Sequence, residues 1–142
     1  MNKGIFIGIG LSLAVLAACA PMGKPSKTVT LTSSGALSTN EASKVTGTAE
    51  IAVLGDGTTK ITLMLSGMVV GSKHAAHIHV GSCVNQGGVA IPLPDVVAGA
   101  DGTGSSEKVI QTGSIPAAAY VNVHQKGSDE GVGGGISCGD IK

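Results

Sequence analysis

The stretch "KHAAHIHVGSC", residues 73–83, places three of the chain's four histidines in a run where apolar and polar residues alternate. Successive side chains of a strand point to opposite faces. His77 and His79 therefore share one face, and Ala76, Ile78 and Val80 share the other, which is the one expected to meet a core. His74 has the opposite parity from the histidine pair. The same rule applied to "AYVNVH", residues 119–124, turns Val121 and Val123 inward and Asn122 and His124 outward.

Outward from these two runs the chain repeats the pattern. "TVTLT" (28–32), "KVTGTAEIAVL" (44–54), "TKITLMLSG" (59–67), "EKVIQTG" (107–113) and "GISCGDI" (135–141) are short apolar or alternating runs bounded by turn residues. "GDGT" between the second and third is a hairpin signal. No stretch of the mature chain shows a 3.6-residue period, so the expected class is all-β, an antiparallel sandwich or barrel. Residues 81–106 and 125–135 are expected to be irregular. The glycines of "GVGGG" in the second neither follow a strand nor open a helix, so they read as flexible loop and not as a phosphate cradle.

Composition narrows the partners. The 142 residues hold nine acidic and nine basic side chains, every basic one a lysine, with one Tyr, one Phe and no Trp. That suits one small domain. Without arginine or a basic run, nucleic acid is not an expected partner. The core must come from Val, Ile, Leu, Ala and Met.

The first eighteen residues, "MNKGIFIGIGLSLAVLAA", carry Lys3 and then an uncharged apolar run, which reads as a cleaved secretory signal; a spanning helix is the rival. The run ends in "LAAC", Leu16 to Cys19, which resembles the bacterial lipoprotein box and implies lipidation of Cys19. Residues 19–27 would then be a lipidated tether and 28–142 the domain. The chain would be exported and held on a bacterial membrane through the bilayer-embedded lipid of Cys19. With Cys19 consumed, three cysteines leave one pair, Cys83 and Cys138, and an oxidising compartment favours their disulfide.

If the two histidine strands are neighbours, His77, His79 and His124 can reach one metal ion. His74 is then a brace that hydrogen-bonds to the ligands' surroundings. The alternative is three surface histidines with no chemical role. Neutral imidazole serves zinc, copper, nickel and iron, and three histidines do not select among them.

With these residues in view, the chain resembles the copper/zinc superoxide dismutase superfamily, in its short exported bacterial form, from about Lys44 to Lys142. "HAAHIH" is similar to the family's strand in which the last two histidines bind copper and the first is structural. That implies copper ligation by His77 and His79, with His74 structural. "YVNVHQKGSDEGVGGG" is similar to the family's apolar strand, late copper histidine and acidic glycine-rich loop, which implies ligation by His124. "ISCGDI" is similar to its terminal cysteine strand, which implies the Cys83–Cys138 bridge and a Greek-key β-sandwich or barrel. "YVNVH" also resembles strands of chordin-repeat-type domains.

The departures are equally specific. No histidine lies between Cys83 and His124, so the family's bridging and zinc-binding histidines are missing and zinc is not expected. Asp101, near a family zinc ligand, reads as a turn residue. The family's arginine beside copper falls where this chain has Gly135. Three functions follow: a lipoprotein that holds copper, a copper-only superoxide dismutase acting on superoxide, and a structural or interaction lipoprotein without metal. Oligomeric state is not legible.

Overall fold

The computed structural model describes residues 26–33 and 44–142. The signal segment 1–18, Cys19 and most of the tether lie outside the described residues. Eight strands carry the architecture: β1 (Ser26–Ser33), β2 (Thr46–Val53), β3 (Thr58–Ser66), β4 (Lys73–Gly81), β5 (Gln86–Val97), β6 (Gly104–Gln111), β7 (Ala119–His124) and β8 (Gly135–Ile141). Their order is β5-β4-β7-β8-β1-β2-β3-β6, every pairing antiparallel, so the two end strands β5 and β6 come together and nearly close a barrel. The expected all-β class is the observed one.

Alternation builds the core. On β3, Thr59, Ile61, Leu63 and Leu65 are buried while their neighbours are not. Val29 and Leu31 of β1, Ala49 and Ile51 of β2, Ala76 and Ile78 of β4, Val121 and Val123 of β7 and Ile136 of β8 join them in one apolar cluster. Each fully buried branched side chain contributes roughly 1.5–3 kcal/mol. The "GDGT" hairpin forms as expected: Leu54 N–H donates to Thr58 O (2.8 Å), and Asp56 Oδ1 accepts from the Thr58 N–H (3.0 Å) and hydroxyl (2.6 Å). Asp101 and Thr103 repeat that turn, which is the role read for Asp101.

Three expectations need correction. The segment 81–106 is not irregular: it contains all of the twelve-residue β5 and the start of β6. Two prolines interrupt "IPLPDVV", yet β5 pairs with β4 alone, with shifts of register, and its other edge faces the seam with β6, where a missing N–H costs nothing. Lys108 of β6 reaches across that seam to donate to Pro92 O (2.6 Å). Val80, expected in the core, is 47% exposed, because β4 shifts register between Ile78 and His79 and again before Gly81, at the barrel's rim. β1 begins at Ser26, two residues ahead of the expected boundary at Thr28.

Strand directions fix the two ends of the barrel. Gly81, Ala119, Ile141 and Ser26 lie toward one end; Lys73, His124 and Gly135 lie toward the other. The segment 125–134, called the strap below, covers this second end. The disulfide joins Cys83, just past β4, to Cys138 in β8, and the Cys83 N–H donates to Asp140 Oδ1 (2.7 Å).

Candidate metal centre

β4 and β7 are hydrogen-bonded neighbours, with His77 opposite Asn122 and His79 opposite Tyr120. That juxtaposition brings His77 and His79, which share a face at spacing two, beside His124, which sits diagonally across from His77. The ring centroids are 4.9 Å apart for His77 and His124, 5.6 Å for His77 and His79 and 5.8 Å for His79 and His124. One ligand atom from each lies within 4.8 Å of the others.

The parity of the histidines is as read from the sequence, but their face is largely covered, with His77 half-buried and the other two buried. His79 and His124 are each 8% exposed. The start of β5 and the strap cover the face, and both supply backbone acceptors. His79 Nδ1–H donates to Gly87 O (2.9 Å), and His124 Nδ1–H donates to Gly133 O (3.1 Å). These bonds fix both rings in the tautomer whose Nε2 holds a lone pair. His77 Nδ1–H then donates to His124 Nε2 (3.1 Å). Burial pushes the pKa of His77 below the usual imidazole value, and the nearby rings of His124 and His79 push it further, against the opposing Asp95 carboxylate. Burial also lowers that of His124; the Gly133 bond opposes the fall and His79 adds to it.

The donor set fits a metal ion. His79 Nε2 is buried and has no hydrogen-bond partner, a cost of about 1–3 kcal/mol unless something accepts its lone pair. It faces the other two rings. Imidazole nitrogens about 2.0–2.1 Å from a shared ion are at most about 4 Å apart. The observed spread therefore closes with side-chain movement of about 1 Å. His77 Nδ1, His79 Nε2 and His124 Nε2 are the atoms that would hold the ion.

His74 stands outside this trio. It is 6% exposed, donates from Nδ1 to the backbone O of His124 (2.8 Å), and accepts from the Ser72 hydroxyl at Nε2 (2.8 Å). It braces the backbone of one candidate ligand. Three further contributors were not named from the sequence. Gly87 and Gly133 act through carbonyls, which every residue type has. Tyr120, 1% exposed, stacks on His79 with ring centroids 5.1 Å apart and 26° between planes. Tyr120 has the parity of His124, so the strand rule applied one step further back would have found it.

At position 135, where the resemblance places an arginine, a Cβ would lie 2.7 Å from Asn122 Oδ1. A side chain at that position would have to displace the Asn122 amide. Lys126, a candidate substitute, is exposed and enters the strap through its backbone, with its N–H donating to Val132 O (2.8 Å). Of the groups that act on His77, the Asp95 carboxylate is the one that favours the charged ring, and it is outweighed by burial and the two neighbouring imidazoles.

The model of the CHRD domain family matches residues 27–132. The chain belongs to the CHRD domain family. No curated protein sequence matches it. This CHRD domain is similar in fold to the crystal structure of a SOD-like protein from Bacillus subtilis, with a TM-score of 0.57 and 18% identity over 81% of this chain and 97% of that one. It is also similar to the clock protein EA4, with a TM-score of 0.56 and 13% identity over 81% of this chain and 92% of that one. At such identities the likeness is one of fold, and it agrees with the superoxide dismutase-type barrel expected from the sequence.

Proposed function

We propose that this CHRD domain is an exported, lipid-anchored protein that holds one copper ion through His77, His79 and His124, and presents the metal more than it turns over superoxide. The observation that carries the reading is the buried, unpartnered Nε2 of His79 aimed at two further imidazoles whose tautomers also present a nitrogen to the same space. Copper is favoured over zinc by the resemblance to the dismutase copper strand and by the missing histidines between Cys83 and His124. When bound, copper would supply one-electron redox chemistry; the protein holds and orients its ligands and excludes water from them.

Efficient dismutation is disfavoured because an anionic substrate gains rate from nearby positive charge. Here position 135 is a glycine pressed on Asn122, and the carboxylate of Asp95 acts on His77. That field suits a cation. The "LAAC" run and the Cys83–Cys138 bridge support export to an oxidising compartment. Residues 20–25 reach about 20 Å at full extension. An anchored Cys19 would therefore keep the Ser26 end of the barrel near the bilayer and leave the strap end facing away.

The test is titration of the purified protein with Cu(I), Cu(II) and Zn(II), followed by superoxide decay with the copper-loaded form. The expected result is one tight copper site per chain, lost in His124→Ala, with decay no faster than that variant gives. No tight site would sink the reading. Decay far above the variant's would make the protein a copper-only dismutase.

A further inference from the structure

One residue of the strap that covers His124, Val132, is held in a conformation its side chain does not favour. Gly131, Val132 and Gly133 have φ of 81°, 40° and 70°, and Val132 is the one described non-glycine residue with positive φ. A β-branched side chain is a steric outlier in the left-handed region. Such a conformation persists only where surrounding contacts over-determine it. At this place it aims the Gly133 carbonyl at His124 Nδ1 (3.1 Å). Within the strap, Gln125 N–H donates to Gly134 O (2.9 Å) and Lys126 N–H to Val132 O (2.8 Å).

Besides the bond from His124 to Gly133 O, the strap is tied to the barrel at Ala75, Lys73 and Asp95. Ala75 N–H donates to Lys126 O (2.9 Å). Lys73 pairs with Asp129, but that carboxylate is largely exposed, and exposed pairs contribute little. The third is charge-assisted: Asp95 Oδ2, on β5, accepts both the N–H (2.9 Å) and the hydroxyl (3.0 Å) of Ser128. All three ties converge on buried Gly127. A Cβ there would strike Lys73 Cε and lie 3.0 Å from both Asp95 Oδ2 and Asp129 Oδ1. The strap and the barrel thus meet closely at Gly127.

We propose that Asp95 is a positioning residue for the metal site, clasping Ser128 so that the strap keeps the Gly133 carbonyl on His124 and Nε2 aimed at the metal. The proposal rests on the metal reading for its effect on affinity, but the clasp itself is a property of the metal-free protein.

The test compares Asp95→Ala with Asp95→Asn, whose amide oxygen can still accept from Ser128. In metal-free protein, Asp95→Ala should raise amide hydrogen exchange at Gln125 and Lys126 by about 10-fold or more, and Asp95→Asn should leave it near the original rate. With copper ion as the probe, Asp95→Ala should weaken binding about 10-fold and change the Cu(II) electron paramagnetic resonance spectrum, while Asp95→Asn stays within about 3-fold. Unchanged exchange and affinity in Asp95→Ala would overturn the proposal. So would an Asp95→Asn variant as damaged as the alanine one, since its amide oxygen still offers Ser128 the acceptor that the clasp requires. If Asp95→Ala does not fold, Ser128→Ala takes its place: a smaller rise in exchange supports the clasp, and no rise refutes it. Original protein that binds no copper would defeat the metal reading, and the exchange comparison would still decide the clasp.

Discussion

His77 and His124, forty-seven positions apart in the chain, meet through a hydrogen bond of 3.1 Å between Nδ1 of the first and Nε2 of the second. The bond joins the atoms through which each would bind a metal, so in the metal-free state one proton bridges the place of an ion. Metal binding must break this bond and move the His77 proton to Nε2. Replacing His77, His79 or His124 singly by alanine should weaken copper binding by about 100-fold or more, whereas His74→Ala should cost about 10-fold through the lost brace on His124. Competition titration against a chelator of known copper affinity checks both numbers. Equal losses for all four variants would show that the trio is wrongly drawn.

Tyr120 is the large aromatic among the described residues, and its ring lies against His79. Tyr120→Phe keeps the stack and should bind copper within about 3-fold of the original. Tyr120→Leu lets the imidazole turn and should weaken binding about 10-fold. It should also lower stability by roughly 1–3 kcal/mol, since the site is closely packed. Urea denaturation read alongside the titration separates the two effects.

Acid should destabilise the metal-free protein in a defined window. The pKa values of His77 and His124 fall below the ordinary 6.5 on folding, so between 6.5 and the folded values the unfolded chain binds protons that the folded one does not. The sign of that difference makes stability rise with pH. Stability should therefore be complete above about pH 7.5, decline as pH falls through 6.5, and level off once both folded values are passed. Urea midpoints at a series of pH values test this. The double variant His77→Ala/His124→Ala should flatten the slope, and an unchanged slope would place its origin elsewhere.

The Cys83–Cys138 bridge spans a sequence separation of 55. A crosslink closing a loop of that length stabilises by about 4 kcal/mol in the chain-entropy model. Cys83→Ala/Cys138→Ala should lower Tm by on the order of 15 °C. Because Cys83 lies just before β5, whose first residues carry the carbonyl on His79, copper affinity should also fall by about 3-fold to 10-fold. A scanning calorimetry trace unchanged by the double substitution would show that the loop is held without the bridge.

Much of the barrel was legible because a strand's two faces are written locally. The alternation in "AAHIHV" and "AYVNVH" fixed which residues share a face, and Ala76, Ile78, Val121 and Val123 do lie in the core. β5 was missed because Pro92 and Pro94 carry the local signal of a loop, and only its position at the barrel seam makes them harmless. The site divides the same way. Three histidines of the right parity could be named from the sequence, and the likeness to the dismutase pattern ordered them. The carbonyls of Gly87 and Gly133 could not, since a carbonyl has no sequence signature. Nor could Asp95, which meets Ser128 across thirty-three positions of chain.

By itself, then, the sequence determined the strand class, the facing of the histidines, and the absence of arginine and of any histidine between Cys83 and His124. Only the tertiary structure decided that two of the three histidines are buried, that two backbone carbonyls set the tautomers of His79 and His124, and that a strap in contact with Asp95 covers the third histidine. The reason is physical. Side-chain facing follows from the two-residue repeat of a single strand, whereas burial, tautomer and strain depend on what distant segments lay against it.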